Sequence, residues 1–318
     1  EVFEKGDAKG KPFILPRPLL HITETFWKNK AAQEFLLYAC DVANLMGNTC
    51  FVFDRKEKSF PPDFREEERY QPWLHRSATI QSVTMNLPRL GYRAAGDEEK
   101  LFTLLGELIQ KAAKAHVQKK DFLEKLLSYA EDGPLAVLAM NHDGYSFLRM
   151  NLASYVIGIV GLNELAQIHV GKELHQSPDA LEFGLKVVEF IRQETGRLSR
   201  ELQIKLVPGQ SLAETTAYRF ARLDLRYFSP TAGRYIRGDV AEGAIYYTNS
   251  THLNVAADVA PLQRVIQEGL FHRYLEGDVF THIQLGEKNP GGEKLSEFVK
   301  KVYFDSLNRQ IDFNPEFT

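Results

Sequence analysis

Cysteine is scarce in this chain, whose 318 residues include only Cys40 and Cys50. Two cysteines are too few for the disulfide framework of small secreted domains, so we expect free thiols in a reducing cytoplasm. The pair lacks CxxC spacing and is therefore a poor ligand set for a metal. The sequence predicts no metal site and leaves two single thiols to be explained.

Long apolar runs and a strong net charge are also lacking. The longest apolar run, 156–162, is far shorter than the roughly 20 residues that span a bilayer, and no basic-then-apolar signal peptide opens the chain. A formal net charge of -3 creates no overall field that would attract nucleic acid or an anionic membrane. We expect neither as a partner, and an anionic substrate would need a local site.

Hydrophobic residues make up 44% of the chain, which is typical of a globular protein with a sizeable core. Helical spacing predicts helices over 31–46, 97–127, 177–202 and 293–302, and a capping box, Ser211 to Glu214, predicts another helix after it. Strand-like runs occupy 80–87, 155–162, 245–248 and 279–285. Alternating strands and helices predict an α/β fold with at least partly parallel pairing.

One long stretch, 47–76, has no periodicity and contains Pro61 and Pro62. Loops of this length inside a compact domain are usually functional or disordered. Cys50 lies near its start, after a turn. A nucleophilic cysteine needs a nearby base, and nothing in the sequence fixes His75, the nearest histidine, close to it in space. The residues alone leave Cys50 either a buried core cysteine or a reactive thiol.

Six short motifs follow one another along nearly the whole chain. They are GDAKGKPF from Gly6, TMNLPR from Thr84, IVGLNE from Ile159, ETTAYRFA from Glu214, YYTNSTHL from Tyr246 and NPEFT from Asn314. In this order they resemble the C-terminal half of the catalytic subunit of the anaerobic, class III, glycyl-radical ribonucleoside-triphosphate reductases.

The resemblance implies half of a ten-stranded α/β barrel with a central finger loop. It implies an entry strand and helix over 1–46, the finger loop over 47–78 and the half-barrel over 79–318. Cys50 stands where the family carries its radical thiol, at the loop tip. A glycyl radical elsewhere converts this thiol to a thiyl radical, which abstracts the 3′ hydrogen of the ribose. Loss of the 2′ hydroxyl as water and reduction give a deoxyribonucleoside triphosphate for DNA synthesis.

The resemblance also suggests substrate contacts. Thr248, Asn249 and Ser250 have the chemistry of a phosphate cradle, with a turn that caps the next helix as the alternative. Asn163 and Glu164 follow a strand, where α/β barrels keep their binding groups, and would lie near the ribose or the finger loop. The alternative for them is a strand end capped by Asn163.

Other residues have less specific interpretations. Cys40 either packs in the core or forms part of a dithiol reductant, and Asn86 and Arg89 either fix the exit of the loop or contribute to the site. Thr79, which we place with the expected substrate contacts, stands where the formate-using branch of the family has an asparagine, and this difference weakens formate as the reductant. Two further arginines, Arg219 and Arg222, are expected to pair with carboxylates (Asp224 or Glu214) and not with phosphate.

The sequence lacks the CxxC zinc ligands and the RVxGY radical loop with which the family continues, and it lacks the nucleotide-binding cone and the first half-barrel. We therefore expect a fragment or one piece of a split enzyme. It would need a radical-SAM activating enzyme and a chain or segment carrying the radical loop and the first half-barrel. The substrate would be a ribonucleoside triphosphate, with allosteric control and a homodimer as in the family.

Two alternatives remain open. One is another glycyl-radical enzyme, such as a formate-lyase or a dehydratase, although the acyl-transfer members use adjacent cysteines and Cys50 has no cysteine neighbour. The other is a non-catalytic, reductase-derived fragment that binds a nucleotide or a partner protein.

Overall fold

The structure is a computed structural model that describes residues 2–11, 13, 16–55, 78–142, 144–211, 213–277, 279–286 and 289–315. Most of the predicted finger loop, 56–77 with His75, lies outside the described residues, as do 316–318 of the last motif. The chain divides into two compact units. The first comprises Glu1–Pro62, Asp258–Arg273 and Val279–Thr318, and the second comprises Asp63–Ala257 and Tyr274–Asp278.

Strands and helices alternate along both units. The strands are β1 (Leu19–Thr23), β2 (Cys50–Asp54), β3 (Thr79–Asn86), β4 (Asn141–His142), β5 (Tyr145–Ser146), β6 (Ser154–Val160), β7 (Lys205–Gln210), β8 (Arg237–Asp239), β9 (Ala244–Tyr246), β10 (Thr281–Gly286) and β11 (Gln310–Pro315). The helices are α1 (Val2–Lys5), α2 (Lys30–Met46), α3 (Leu87–Ala94), α4 (Glu98–Leu127), α5 (Ala136–Ala139), α6 (Leu162–Val170), α7 (Pro178–Leu202), α8 (Glu214–Phe228), α9 (Pro261–His272) and α10 (Gly292–Asp305).

A four-stranded sheet in the order β1-β2-β11-β10 forms the centre of the first unit. The pairs β1–β2 and β10–β11 are parallel, whereas β2 and β11 run antiparallel. Parallel neighbours need a crossover, and α2 and α10 supply it for the two pairs. The side chain of Asn29 accepts the N–H of Ala32 and begins α2, and Gly47 ends it in the left-handed conformation.

The two faces of this sheet differ in polarity because successive side chains of a strand point to opposite faces. One face is apolar: Phe51, Ile283 and Phe313 pack with Leu36 of α2 and Val299 of α10 in a buried core. The opposite face, called the polar face below, takes the alternate positions of the same strands. Its members include His21, Cys50, Asp54, Gln310, Asp312 and His282.

A three-stranded parallel sheet in the order β3-β6-β7 forms the centre of the second unit. The central strand β6 is buried at every position after Ser154, as expected of a strand covered on both faces. The register pairs Asn86 with Val160, and Ile159 with Gln210. The carboxyl ends of all three strands therefore meet at one edge, called the carboxyl edge below.

Most of the predicted elements are confirmed, and so is the α/β class. The predicted helix 31–46 is α2, and the helix 97–127 is α4, which Asp97 caps by accepting the N–H of Lys100. Ser177 caps α7 in the same way, with Pro178 as its first residue. These predictions succeed because caps and apolar periodicity are local properties of the sequence.

The stretch 47–76 is not irregular throughout, because 50–54 form β2. Cys50 is the first residue of this strand and not the tip of a loop: its N–H donates to the carbonyl of Pro18 at 2.9 Å. The strand is fixed by pairing with β1 on one side and β11 on the other. Such pairing is non-local and left no periodic signal in the sequence.

The predicted capping box is wrong. Helix α8 begins at Glu214 with Ala213 as its N-cap and no side-chain cap. Ser211 instead makes two long-range hydrogen bonds. Its hydroxyl bonds that of Thr84 at 2.9 Å, and its N–H donates to the hydroxyl of Ser250 at 2.7 Å.

The division of the chain differs from the predicted boundaries 1–46, 47–78 and 79–318. Residues 258–273 and 279–318 belong to the same unit as the N-terminal residues. The physical reason is the β2–β11 pairing, which joins strands separated by more than half of the chain length.

Candidate active site

Cys50 lies on the polar face of the first unit, on the side of the sheet away from the helices. Its side chain is fully buried. The residue directly opposite in the neighbouring strand is Asp312, which is only 1% exposed. Directly opposed side chains on one face of an antiparallel pair lie in contact range, so a buried carboxylate stands beside the buried thiol.

Two basic side chains hold Asp312. Arg17 Nη2 lies 2.8 Å from one carboxylate oxygen, and Nδ1 of His282 lies 2.5 Å from the other. His282 is also the register partner of Asp312 in β10. The structure thus places Cys50, Asp312 and His282 in one row across three adjacent strands.

The environment of Cys50 keeps its thiol protonated. Burial raises the pKa of Cys50 to about 11, and the negative charge of Asp312 adds to this, while Arg17 and a hydrogen bond with Gln310 oppose it. Cysteine nucleophiles and metal ligands act as thiolates, and their pKa is lowered. This thiol is therefore poorly suited to nucleophilic attack and suited to chemistry that needs the S–H bond.

A second histidine–carboxylate pair lies on the polar face. His21 Nδ1 is 2.8 Å from Asp54 Oδ2. This hydrogen bond, helped by the charge of Asp54 and opposed by burial, raises the pKa of His21. His21 is the register partner of Val52, two residues from Cys50 along β2, so histidines occur on both sides of the cysteine strand.

Cys40 lies on the other side of this sheet. It is fully buried in the apolar core with Leu36 and Ala43 of its own helix, and burial raises its pKa far above the usual range for a thiol. The structure does not bring it together with Cys50 on the polar face. Core packing, the first of the two interpretations of Cys40, is the one that its surroundings support.

In the second unit, the predicted phosphate cradle lies at the carboxyl edge. Asn249 forms an isolated bridge with Val160, and the N–H of Gly161 donates to the carbonyl of Thr248 at 2.8 Å. Ser250 has a φ of 46°, a left-handed conformation that is unusual for a residue other than glycine. The segment 248–250, called the turn below, is thus fastened to the end of the central strand at Asn249 and turns at Ser250.

The hydroxyl groups of this turn are engaged by the protein. The hydroxyl of Thr248 donates to Glu164 at 2.6 Å, and that of Ser250 donates to the carbonyl of Ser211 at 3.2 Å. The neighbouring Thr251 accepts from Gln210 at 3.0 Å. By contrast, the amide oxygen of Asn249 is buried and has no hydrogen-bond partner in the described part of the chain. The turn thus contains one buried acceptor without a partner among the described residues.

Asn163 and Glu164 lie in the first turn of α6 and are fully buried. Glu164 accepts both the N–H and the hydroxyl of Thr248 and lies 3.2 Å from Arg237 Nε. Burial raises the pKa of Glu164, and its bonds to Thr248 and Arg237 oppose the rise. Asn163 donates to Glu173, which also pairs with Arg237 at 2.7 Å. Asn163 is not a strand cap; with Glu164 it supports the turn.

Asn86 and Arg89, in the NLPR motif, converge on Asp224 of α8. Asn86 Nδ2 and Arg89 Nε donate to its two oxygens at 2.8 and 2.6 Å, and the hydroxyl of Tyr247 donates to it at 3.2 Å. Burial raises the pKa of this carboxyl, and those three bonds oppose the rise. The expected pairing of Asp224 with Arg219 or Arg222 is wrong, because the NLPR segment takes this carboxylate.

Thr79 is not near the turn. It is the first residue of β3, and its hydroxyl lies 3.3 Å from that of Ser154 at the start of β6. Seven residues of strand separate it from Asn86 at the carboxyl edge, a distance of about 23 Å at the usual rise per residue. A direct role of Thr79 beside Thr248 has no support in this geometry.

Sequence reasoning missed Arg17, Asp312 and His282 around Cys50, and Arg237 beside Glu164. The alternation of polar residues in β11 (Gln310, Asp312 and Asn314) is a local signal of a polar sheet face. The pairing of that strand with Cys50, nearly the whole chain length away, has no such local signal.

A comparison with known protein families covers the whole sequence. The family model described as "NRDD: Anaerobic ribonucleoside-triphosphate reductase" matches residues 1–318. The chain belongs to this family. The match extends well beyond the six short motifs.

Curated relatives in this family carry the same description. The anaerobic ribonucleoside-triphosphate reductase of Salmonella typhimurium is 28% identical over 190 residues, which is 58% of this chain and 26% of the relative. The phage T4 protein is 24% identical over 213 residues, 64% of this chain and 32% of the relative. The chain therefore matches only about a third or less of the length of these relatives.

Solved structures support the family fold. The anaerobic ribonucleotide reductase from Thermotoga maritima, in complex with dATP and CTP, matches with a TM-score of 0.74 at 18% identity and covers 98% of this chain and 49% of that chain. A glycyl radical enzyme from Archaeoglobus fulgidus matches with a TM-score of 0.60 at 14% identity, covering 96% and 47%. The predicted half of a reductase-type α/β barrel is confirmed.

Two further observations concern other kinds of site. In the part of the chain that the structure describes, no helix is both long and apolar enough to cross a membrane. Within the same residues, no group of three or more His, Cys, Asp and Glu side chains could hold a metal ion. The structural zinc expected for the family has no candidate ligand set among them.

Proposed function

We propose that this chain supplies the thiol-bearing part of an anaerobic ribonucleoside-triphosphate reductase, with Cys50 as the residue that abstracts the 3′ hydrogen of the ribose. The observation that carries the proposal is the state of Cys50 within this family's fold. It is a fully buried thiol on the polar face of the sheet, held protonated by its surroundings. Loss of the 2′ hydroxyl as water and reduction would then give the deoxyribonucleotide.

The physical requirements of radical chemistry fit this position. A sulfur radical persists only where water and stray hydrogen donors are excluded, and an enclosed site provides that exclusion. It must also be held within reach of a single C–H bond. Strand pairing on both sides of β2 fixes the Cys50 backbone, which supplies a rigid support for the sulfur.

The radical would come from a glycyl radical on a segment that these residues do not include. Activity would therefore need the chain or segment with the RVxGY loop, the first half-barrel and a radical-SAM activating enzyme. A homodimer and allosteric nucleotide binding, as in the family, are part of the same proposal, and so is a structural zinc outside these residues. The reductant is left open because Thr79 stands at the asparagine position of the formate-using branch.

For the substrate we propose a ribonucleoside triphosphate, with the turn Thr248–Ser250 on the phosphate side. Because the hydroxyls of Thr248 and Ser250 are engaged by Glu164 and Ser211, contacts would come from the backbone and Asn249. The unpartnered amide oxygen of Asn249 suits a ligand hydroxyl. Asn163 and Glu164 would act through the turn and not on the ribose directly.

Two observations bear on the alternatives. The Archaeoglobus fulgidus match concerns the fold alone, which other glycyl-radical enzymes share. A non-catalytic fragment would have no need for a thiol kept protonated and enclosed beside a buried carboxylate that pairs with Arg17. A co-purifying chain with the radical loop would argue against this second alternative.

The direct test is anoxic reconstitution with the remaining family segments and the activating enzyme. Cys50→Ala should abolish deoxyribonucleotide formation and leave nucleotide binding nearly unchanged, because the thiol contributes to the transition state and little to ground-state affinity. Cys40→Ala is the matched control, a second buried thiol on the other face of the same sheet. Normal turnover by Cys50→Ala would show that the assignment of the radical thiol is wrong.

A further inference from the structure

A row of three side chains crosses the polar face of the first unit. The antiparallel register places Asp312 directly opposite Cys50, and the parallel register places His282 directly beside Asp312. Asp312 is 1% exposed, and no role in the proposed reaction has so far been given to it. A carboxylate this deeply buried is costly unless it is paired and hydrogen-bonded.

The carboxylate of Asp312 is held from two sides. Arg17, which precedes β1, approaches one oxygen at 2.8 Å, and His282 Nδ1 approaches the other at 2.5 Å. The same face also carries the His21–Asp54 pair and Gln310, which hydrogen-bonds Cys50. The charge of Arg17 lowers the pKa of the Cys50 thiol, and Asp312 lies beside both residues.

We propose that Asp312 is a positioning residue for the Cys50 site, whose carboxylate, oriented by Arg17 and His282, keeps the sulfur in its thiol form. This inference rests on the proposed function. Hydrogen-atom transfer moves a proton and an electron together from sulfur. A thiolate has already lost that proton and cannot undergo the step, so a reductase needs Cys50 as S–H before and after each turnover.

The electrostatics support the geometry. Burial is the largest cause of the raised pKa of Cys50; Arg17 lowers this pKa and Asp312 raises it. A neighbouring arginine without a carboxylate is a typical way to activate a cysteine as a thiolate. Asp312 opposes that effect. Removal of the Asp312 charge should therefore lower the pKa of Cys50, and removal of the Arg17 charge should raise it.

The test compares alkylation of the full chain by iodoacetamide at a fixed, mildly alkaline pH, with the modified peptides identified by mass spectrometry. Asp312→Asn keeps the shape and hydrogen-bonding capacity and removes the charge. It should raise the alkylation rate of Cys50 about tenfold, the effect of about one pKa unit on the thiolate fraction. Arg17→Gln should lower the rate.

Two controls distinguish an effect of the Asp312 charge from a loosening of the folded unit. Cys40, buried in the core on the other face, becomes reactive only if the unit opens, so its rate reports loss of structure. Asp54→Asn removes a carboxylate from the same face and the same strand, four residues from Cys50, and should leave the Cys50 rate unchanged.

Unchanged rates in both variants, or faster alkylation of Cys50 in both Asp312→Asn and Arg17→Gln, would overturn the role of Asp312. These measurements need no turnover. If the alkylation rates contradict the role of Asp312, the Cys50→Ala test of the proposed function is unaffected. If Cys50→Ala is fully active, the alkylation rates still report the ionisation of the Cys50 thiol.

Discussion

At the scale of single residues, the two cysteines differ in the polarity of their neighbours. Cys40 and Cys50 are both fully buried free thiols with raised pKa values. Cys40 has apolar neighbours from α2 in the core. Cys50 has Asp312 and Arg17 beside it. Burial alone makes a thiol inert, and charged neighbours are what allow its ionisation to be tuned.

The His21–Asp54 pair predicts a pH dependence. Because the hydrogen bond to Asp54 raises the pKa of His21 above its usual 6.5, the folded chain binds this proton more tightly than the unfolded chain. The resulting stability is present below pH 6.5 and is lost as the pH rises through the raised pKa. An NMR titration of His21 should show the raised value, and Asp54→Asn should lower it. An unshifted His21 in the parent chain would contradict the pairing.

Asp224 predicts a large stability effect. It is fully buried, and its oxygens accept bonds from Asn86, Arg89 and Tyr247. Asp224→Ala leaves these donors without their acceptor and should lower the free energy of unfolding by about 3–5 kcal/mol, the usual cost of removing one partner of a buried ion pair.

The matched control for Asp224 lies on the same helix. Arg219 is exposed, and Arg219→Ala should change the unfolding free energy by less than about 0.5 kcal/mol. Urea unfolding of both variants gives the comparison. Similar losses in the two variants would mean that the Asp224 network contributes nothing specific.

At the scale of elements, the end of α10 is tied to the end of β2 by one side chain. The guanidinium of Arg55 donates to the carbonyls of Val302 and Tyr303 at 3.1 and 2.8 Å, and to that of Asn308. The last carbonyls of a helix have no partners within the helix. Arg55 therefore acts as a C-cap supplied from a strand, immediately before the undescribed stretch 56–77.

Substitution of Arg55 tests this tie. Arg55→Met should lower the free energy of unfolding by about 1–3 kcal/mol, because buried carbonyls lose charged donors. Arg55→Lys should recover only part of the loss, since an ammonium cannot reproduce the planar fork of a guanidinium. Thermal and urea unfolding provide the measurement, and full recovery by lysine would show that charge alone matters.

The carboxyl edge shows how elements converge on one turn. Gly161, at a φ of 81°, links β6 to α6, and a Cβ at this position would lie 2.4 Å from the ring of Pro88. This glycine allows α6 to start where Glu164 reaches Thr248. The turn is thus fixed by the end of one strand, the start of one helix and a carboxylate between them.

At the scale of the whole molecule, the sequence predicts that these residues alone cannot store the radical. In the proposed function, the radical is stored on a glycine in an RVxGY loop. The only Gly-Tyr pairs here are Gly91-Tyr92 and Gly144-Tyr145. Gly91 lies in α3, where an added Cβ would lie 2.9 Å from the side chain of Ile168. Neither pair has the Arg-Val context of the radical loop.

These 318 residues should therefore show no glycyl radical signal and no turnover after anoxic treatment with an activating enzyme. Paramagnetic resonance on the isolated chain is the measurement. Addition of polypeptide that carries the radical loop and the first half-barrel should restore activity, because it supplies the storage site and closes the cavity against water. A glycyl doublet from the isolated chain would place the radical on a glycine outside any RVxGY loop and would contradict this prediction.

The sequence by itself determined the long helices, the family and the residue at the centre of the proposed chemistry. Helices such as α2, α4 and α7 were predictable because apolar spacing and caps like Asp97 and Ser177 act within a few residues. The six motifs indicated the family, and the resemblance to the family indicated Cys50 as the radical thiol. All of these signals are contained in short, contiguous segments.

Only the tertiary structure decided which residues surround those positions. The row of Cys50, Asp312 and His282 depends on the pairing of β2 with β11, which lie more than 200 residues apart in the chain, and on the pairing of β11 with β10. Asp224 was expected to pair with arginines of its own helix and pairs instead with Arg89, because packing of α8 buries it beside the NLPR segment. Contacts of this kind arise from long-range packing and register, which leave no periodic trace in the sequence.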